Sequence, residues 1–115
     1  MSFGALPHER LLVYQEASRL LTHVREAKIT DAQLRDQALR AAKGVCLNIA
    51  EGAGRRTSAD KARVYGIARA ECCEVGAALD IALLSQECLE DSAHRGIEST
   101  RMVYALLNGL ILRFS

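Results

Sequence analysis

The chain has 115 residues, half of them hydrophobic and a quarter charged, with fifteen Lys/Arg balancing fourteen Asp/Glu to a net charge of +1. That size fits one domain with a modest core and excludes a multi-domain machine. The near-neutral total argues against a polyanion-binding protein of the strongly basic kind, and the wealth of Leu, Ala, Glu and Arg beside one proline points to an all-α protein.

The first periodic segment is expected from about His8 to Ala27. Val13, Ala17, Leu20, Leu21 and Val24 recur at helical spacing and form one apolar stripe. Pro7 precedes it, a favoured place for proline near a helix start.

After a break at Lys28 and Ile29, Thr30-Asp31-Ala32-Gln33 reads as a capping box with Thr30 as the cap. The second helix places Leu34, Ala38, Ala41, Ala42, Val45, Cys46 and Ile49 on one stripe. Its small residues Ala41, Ala42 and Gly44 imply a closely approaching partner helix. Gly52 and Gly54 are expected to end it in the left-handed conformation that glycine tolerates.

Thr57 or Ser58 caps a long third helix, from about Ala59 to Glu87, with Asp60 favoured in its first turn. Tyr65, Ala68, Cys72, Val75, Leu79 and Ala82 step by three and four along a heptad-like seam. Glu90, Asp91 and Ser92 mark the next turn, and the fourth helix runs from about Ala93 almost to the end. Val103, Tyr104, Leu106, Leu107, Leu110, Ile111 and Phe114 fill an arc of about 160° at 100° per residue. A single seam needs about 100°. The excess assigns this helix a second subunit to face, or else a central place in its own bundle. Four such helices with short connections predict an up-down-up-down bundle in a single domain over residues 1–115.

Charge is unevenly spread. Residues 35–69 carry eight Lys/Arg against three Asp/Glu, and residues 70–98 carry one Arg against seven acids. Arg55, Arg56, Lys61 and Arg63 cluster around the corner between the second and third helices. Repeated by symmetry, they would form a basic ring able to hold phosphates; alone, they are an ordinary charged loop. Aromatics for base stacking are scarce there.

The stretch Asn48-Ile49-Ala50-Glu51-Gly52-Ala53-Gly54-Arg55-Arg56 holds the other polar cluster. Asn48 and Glu51 stand three apart and can share a helix face. In one reading Asn48, Glu51 and Arg55 line a pocket, which with Arg69 would make a small enzyme or ligand-binding site. In the other, Asn48 and Glu51 are interior groups that satisfy each other and an arginine, Arg40 or Arg69. The second is expected, because an unpaired buried carboxylate costs several kcal/mol.

No metal or cofactor chemistry is expected. Cys72-Cys73 is not a CxxC pair, and Cys46 and Cys72 fall on apolar stripes, where cysteine acts as a small hydrophobe. His8, His23 and His94 lack the spacing of HExxH or Glu-x-x-His. The glycines at 52 and 54 follow a helix rather than a strand, so they are no dinucleotide fingerprint. The N-terminus lacks a signal-peptide core and no apolar run spans a bilayer, so a cytoplasmic protein with reduced thiols and no membrane partner is expected.

The motifs Leu12-Val13-Tyr14-Gln15-x-Ala17, Leu34-Arg35-x-Gln37-x-x-Arg40-Ala41-Ala42, Asn48-Ile49-Ala50-Glu51-Gly52-x-Gly54-Arg55, Ile67-Ala68-Arg69 and Glu74 resemble the small bacterial four helix bundle protein family. Its founding members are encoded in intervening sequences of 23S ribosomal RNA genes, and the accessory variability protein of diversity-generating retroelements is a related branch. The resemblance covers most of the chain. It implies a four-helix bundle assembled as a homopentamer and little about function; the expectation of a non-enzymatic scaffold or adaptor rests on the broad apolar arc of the fourth helix and the basic 35–69 segment. The retroelement branch binds nucleic acid and a reverse transcriptase, so RNA, DNA or a protein are the implied partners. The family commonly has an aromatic where Lys61 stands and Gly-Ser where Ala70-Glu71 stands, and its proline-containing loop after the first helix is missing here. The near-neutral charge also departs from the basic retroelement branch.

Overall fold

A computed structural model describes residues 3–115. Four α-helices follow one another: α1 Leu12–Glu26, α2 Ala32–Gly54, α3 Ser58–Leu84 and α4 Glu90–Phe114. Residues 27–31, 55–57 and 85–89 connect them. Each helix packs on the next in sequence, and α4 closes the square against α1. The short connections make neighbours antiparallel, so α1 and α3 stand on one diagonal and α2 and α4 on the other.

The stripes foreseen in the sequence meet at the centre. Val13, Ala17, Leu20 and Val24 of α1 face Ala38, Ala42, Val45 and Ile49 of α2 and the Ala68-Cys72-Val75-Leu79-Ala82 seam of α3. Val103 and Leu107 complete the core from α4. Each fully buried Leu, Ile or Val contributes about 1.5–3 kcal/mol. The alanines along α2 bring α3 close, as the small residues implied.

The helix ends differ from expectation in physically clear ways. Residues 7–10 form a turn instead of a first helical turn, with the Leu11 amide donating to the His8 carbonyl at 3.0 Å. Asp31, not Thr30, caps α2, its carboxylate accepting from the Leu34 amide at 2.8 Å. Thr30 is diverted because its amide donates to the Glu87 carbonyl at 2.8 Å, while the Leu89 amide donates to the Ala27 carbonyl at 2.7 Å. These bonds zip two connections together at one pole. Thr57 caps α3 as expected, accepting from the Asp60 amide at 3.2 Å. The acids Glu90 and Asp91 open α4 rather than forming a turn before it, where they face the positive end of the helix dipole.

Gly52 and Gly54 do not adopt positive φ; α2 runs through Gly54 and stops at extended Arg55. Left-handed residues do occur, at Lys28 and Gln86, just beyond α1 and α3. The surplus apolar arc assigned to the last helix is largely absorbed within the molecule: Leu106, Leu110, Ile111 and Phe114 pack half-buried against the core. Tyr104 of that arc stays 41% exposed, Met102 and Leu112 are bare elsewhere on α4, and a further bare apolar stripe runs along α3.

Candidate functional site

Three of the four candidate cations at the α2–α3 corner are engaged locally. Arg55 pairs with Glu51 at 3.4 Å and Asp60 at 3.5 Å. Arg63 donates to the same Asp60 at 2.8 Å. Lys61 turns back onto the end of α2 and donates to the carbonyls of Ala53 at 2.7 Å and Gly52 at 3.4 Å. Its ammonium also lies 5.7 Å from the Phe114 ring centroid. The Gly52 carbonyl also accepts from the Arg55 amide at 3.3 Å, and Lys61 adds a C-terminal cap that complements the helix dipole. Arg56 is exposed and, among the described residues, makes no ion pair. The corner thus presents one uncommitted cation per chain, the Arg56 guanidinium, rather than four.

The expected network of Arg40, Asn48, Glu51 and Arg69 divides. The Asn48 side-chain amide donates to the Gly44 carbonyl at 3.0 Å and, in a short bond, to Glu71 of α3. Glu51 is not interior: its side chain is 58% exposed and pairs with Arg55. Three residues advance 300° around the helix, which carries Glu51 past Asn48 and away from the seam. Arg40 is exposed on the outer side of α2. Arg69 faces α4 and donates to Asn108 at 2.8 Å.

Glu71 is the carboxylate that Asn48 serves. Burial raises its pKa above the ordinary carboxylate value; Asn48 opposes that shift and nearby Glu74 adds to it. Asn48, Glu51 and Glu71 line an open groove of about 720 Å³ with Arg40, Lys43 and the exposed Leu47. Neither Arg55 nor Arg69 lines it, so Asn48 and Glu51 share the groove without either arginine of the pocket reading.

A second polar arrangement escaped the sequence reading. Between α1 and α4, Glu16 is buried and accepts a short hydrogen bond from the Ser99 hydroxyl. His23 and Ser99 share a cleft of about 420 Å³ with Asp91, His94 and Glu98. One signal was present: Glu16 stands three residues after Val13 and four before Leu20, on the apolar stripe itself. Among the described residues, no group of three or more His, Cys, Asp or Glu is placed to hold a metal ion.

The cysteines are free. Burial and neighbouring Cys73 push the Cys72 thiol up to about 12, against a smaller lowering by a backbone hydrogen bond. Its Sγ lies 3.3 Å from the Thr100 carbonyl, linking α3 to α4. No described helix is long and apolar enough to cross a membrane.

Four antiparallel helices tied by inter-helix polar contacts define an all-α helical-bundle protein. The match extends beyond architecture: the family model described as 23S rRNA-intervening sequence protein covers residues 9–109, and the chain belongs to that family. A comparison with curated proteins finds no match.

Proposed function

We propose that the chain is a non-enzymatic helical-bundle adaptor that assembles with copies of itself, with the homopentamer implied by the family resemblance as its form. The observation that carries this reading is a second apolar stripe on α3. Ile67, Ala70, Ala77, Ile81 and Leu84, interrupted only by Glu74, step by three and four on the face turned away from the core. Ile67 is 42% exposed, Ile81 49% and Leu84 85%. A helix apolar on two opposite faces needs a partner for each. The bundle covers one, and a heptad-spaced stripe suits packing against another helix.

Sedimentation velocity at micromolar concentration tests this. The wild-type chain is expected to sediment as an oligomer, and Ile67→Glu with Ile81→Glu as a folded monomer. A monomeric wild type defeats the reading. The corner cations contribute to partner contact through Arg56 in this view. RNA binding that weakens steeply with salt and disappears in Arg55→Ala with Arg56→Ala would extend the adaptor's partner to nucleic acid; binding unchanged by those substitutions would remove the corner from the interface.

A further inference from the structure

Where α1 hands over to α2, the chain forms a cationic cleft that packing does not require. Val24, Ile29 and Leu39 make an apolar floor, and Arg25, Lys28, Thr30 and Arg35 stand around it, bounding about 470 Å³. The lining holds three cations and no carboxylate. The acids nearest in sequence are Glu26, Asp31 and Asp36, and Glu87 lies across the pole. Asp31 is committed to capping α2. Among the described residues, none of the four forms an ion pair with Arg25, Lys28 or Arg35. These cations are unspent, unlike those at the α2–α3 corner.

Two of them stand where local preference is against them. Arg35 lies in the first turn of α2, where a positive charge opposes the helix dipole. Lys28, just beyond α1, has a φ of 47°, a conformation in which glycine is the usual residue. Only Arg25, in the last turn of α1, is accounted for by a dipole. The cleft is also held in shape. Arg35 Nη1 donates to the Ile29 carbonyl at 3.2 Å, which uses one of the five guanidinium N–H groups and leaves the others free. The Thr30 amide and hydroxyl both donate to the Glu87 carbonyl, at 2.8 and 3.3 Å, and pin the connection.

The chemistry selects among ligands. A carboxylate presents two coplanar oxygens, which a single guanidinium can satisfy. A phosphate monoester presents three oxygens and, above about pH 7, close to two negative charges, and so can use three separate cations. The apolar floor gives an organic group a place that inorganic phosphate leaves empty, and the volume suits a small molecule. We propose that the α1–α2 cleft binds a small organic phosphate monoester, its phosphoryl group held by Arg25, Lys28 and Arg35 and its organic part resting on Leu39. None of these residues lies on the bare stripe of α3, so the site is independent of the adaptor reading.

Titration of phenyl phosphate into the full chain at low salt, followed by amide shifts in ¹H–¹⁵N NMR spectra, tests the proposal. Saturable shifts at Lys28, Thr30, Arg35 and Leu39 are expected, with inorganic phosphate binding several-fold more weakly. Arg35→Gln and Lys28→Gly are each expected to weaken phenyl phosphate about tenfold, the loss of one charge-assisted contact. Lys28→Gly relieves the left-handed backbone, so its midpoint of thermal unfolding is expected to equal or exceed that of the wild type while binding falls. It therefore decides the matter even if Arg35→Gln unfolds the chain. Non-saturating shifts, shifts spread equally over Arg40, Lys43 and Arg56, an affinity unchanged by Lys28→Gly, or equal binding of inorganic phosphate overturn the proposal. Displacement of phenyl phosphate by an equal concentration of an oligonucleotide without terminal phosphates would assign the cleft to nucleic acid and overturn it as well.

Discussion

The ring of Tyr65 lies directly over Gly52: a Cβ at Gly52 would stand 2.7 Å from Tyr65 Cε1 and 2.8 Å from Cδ1. Both residues are buried, and the ring has no room to retreat. This contact explains why glycine stands near the end of α2, where the sequence alone suggested a backbone reason. Gly52→Ala is therefore expected to destabilise the fold. Overpacking costs about 1–3 kcal/mol, against about 1 kcal/mol gained in helix propensity. Gly54 has negative φ, and a Cβ there would meet nothing within 4 Å, so Gly54→Ala is expected to be neutral or stabilising by up to about 1 kcal/mol. Urea unfolding of the two variants measures the contrast.

Lys61 separates a structural from a surface role at the corner. Lys61→Ala removes the donor to the Ala53 and Gly52 carbonyls and is expected to cost about 1–2 kcal/mol. Arg56→Ala, at an exposed residue without an ion pair among the described residues, is expected to stay within about 0.5 kcal/mol. Equal losses in thermal unfolding would contradict the capping role.

Glu71 gives stability a pH dependence. Burial raises its folded-state pKa above that of the unfolded chain, so the folded state keeps the proton to higher pH. The resulting stability is complete below the unfolded carboxylate value, about pH 4, and is lost as pH rises through the raised value. Glu71→Gln keeps an acceptor for Asn48 and removes the ionisation. It is expected to raise the midpoint of thermal unfolding near neutral pH relative to wild type and to leave it unchanged below about pH 4. The effect is modest, because the side chain is only half-buried and solvent screens it.

The adjacent thiols Cys72 and Cys73 should react very differently. Cys72 is buried with its pKa pushed up to about 12, whereas Cys73 is exposed. Maleimide labelling of the native chain followed by peptide mass mapping is expected to modify Cys73 promptly. Cys72 is expected to remain unmodified until denaturant is added. Prompt labelling of Cys72 would show that the α3–α4 seam opens readily.

The elements were legible because apolar residues recur at helical spacing over long spans, and the α3 seam from Tyr65 to Ala82 is buried as read. The polar partners were not legible. Asn48 was paired with Glu51 because the two are near in sequence, but its carboxylate is Glu71, twenty-three residues away on the next helix. Glu16 and Ser99 are eighty-three residues apart, and only the closing of α4 on α1 brings them together.

The sequence by itself determined four helices, their inward stripes and the family, since periodicity and short-range capping act within a turn or two of chain. The tertiary structure decided which side chains share a hydrogen bond, which cations are spent, and which apolar face is left bare. Those outcomes depend on how each helix is rotated against its neighbours, and the summed packing of all four sets that rotation.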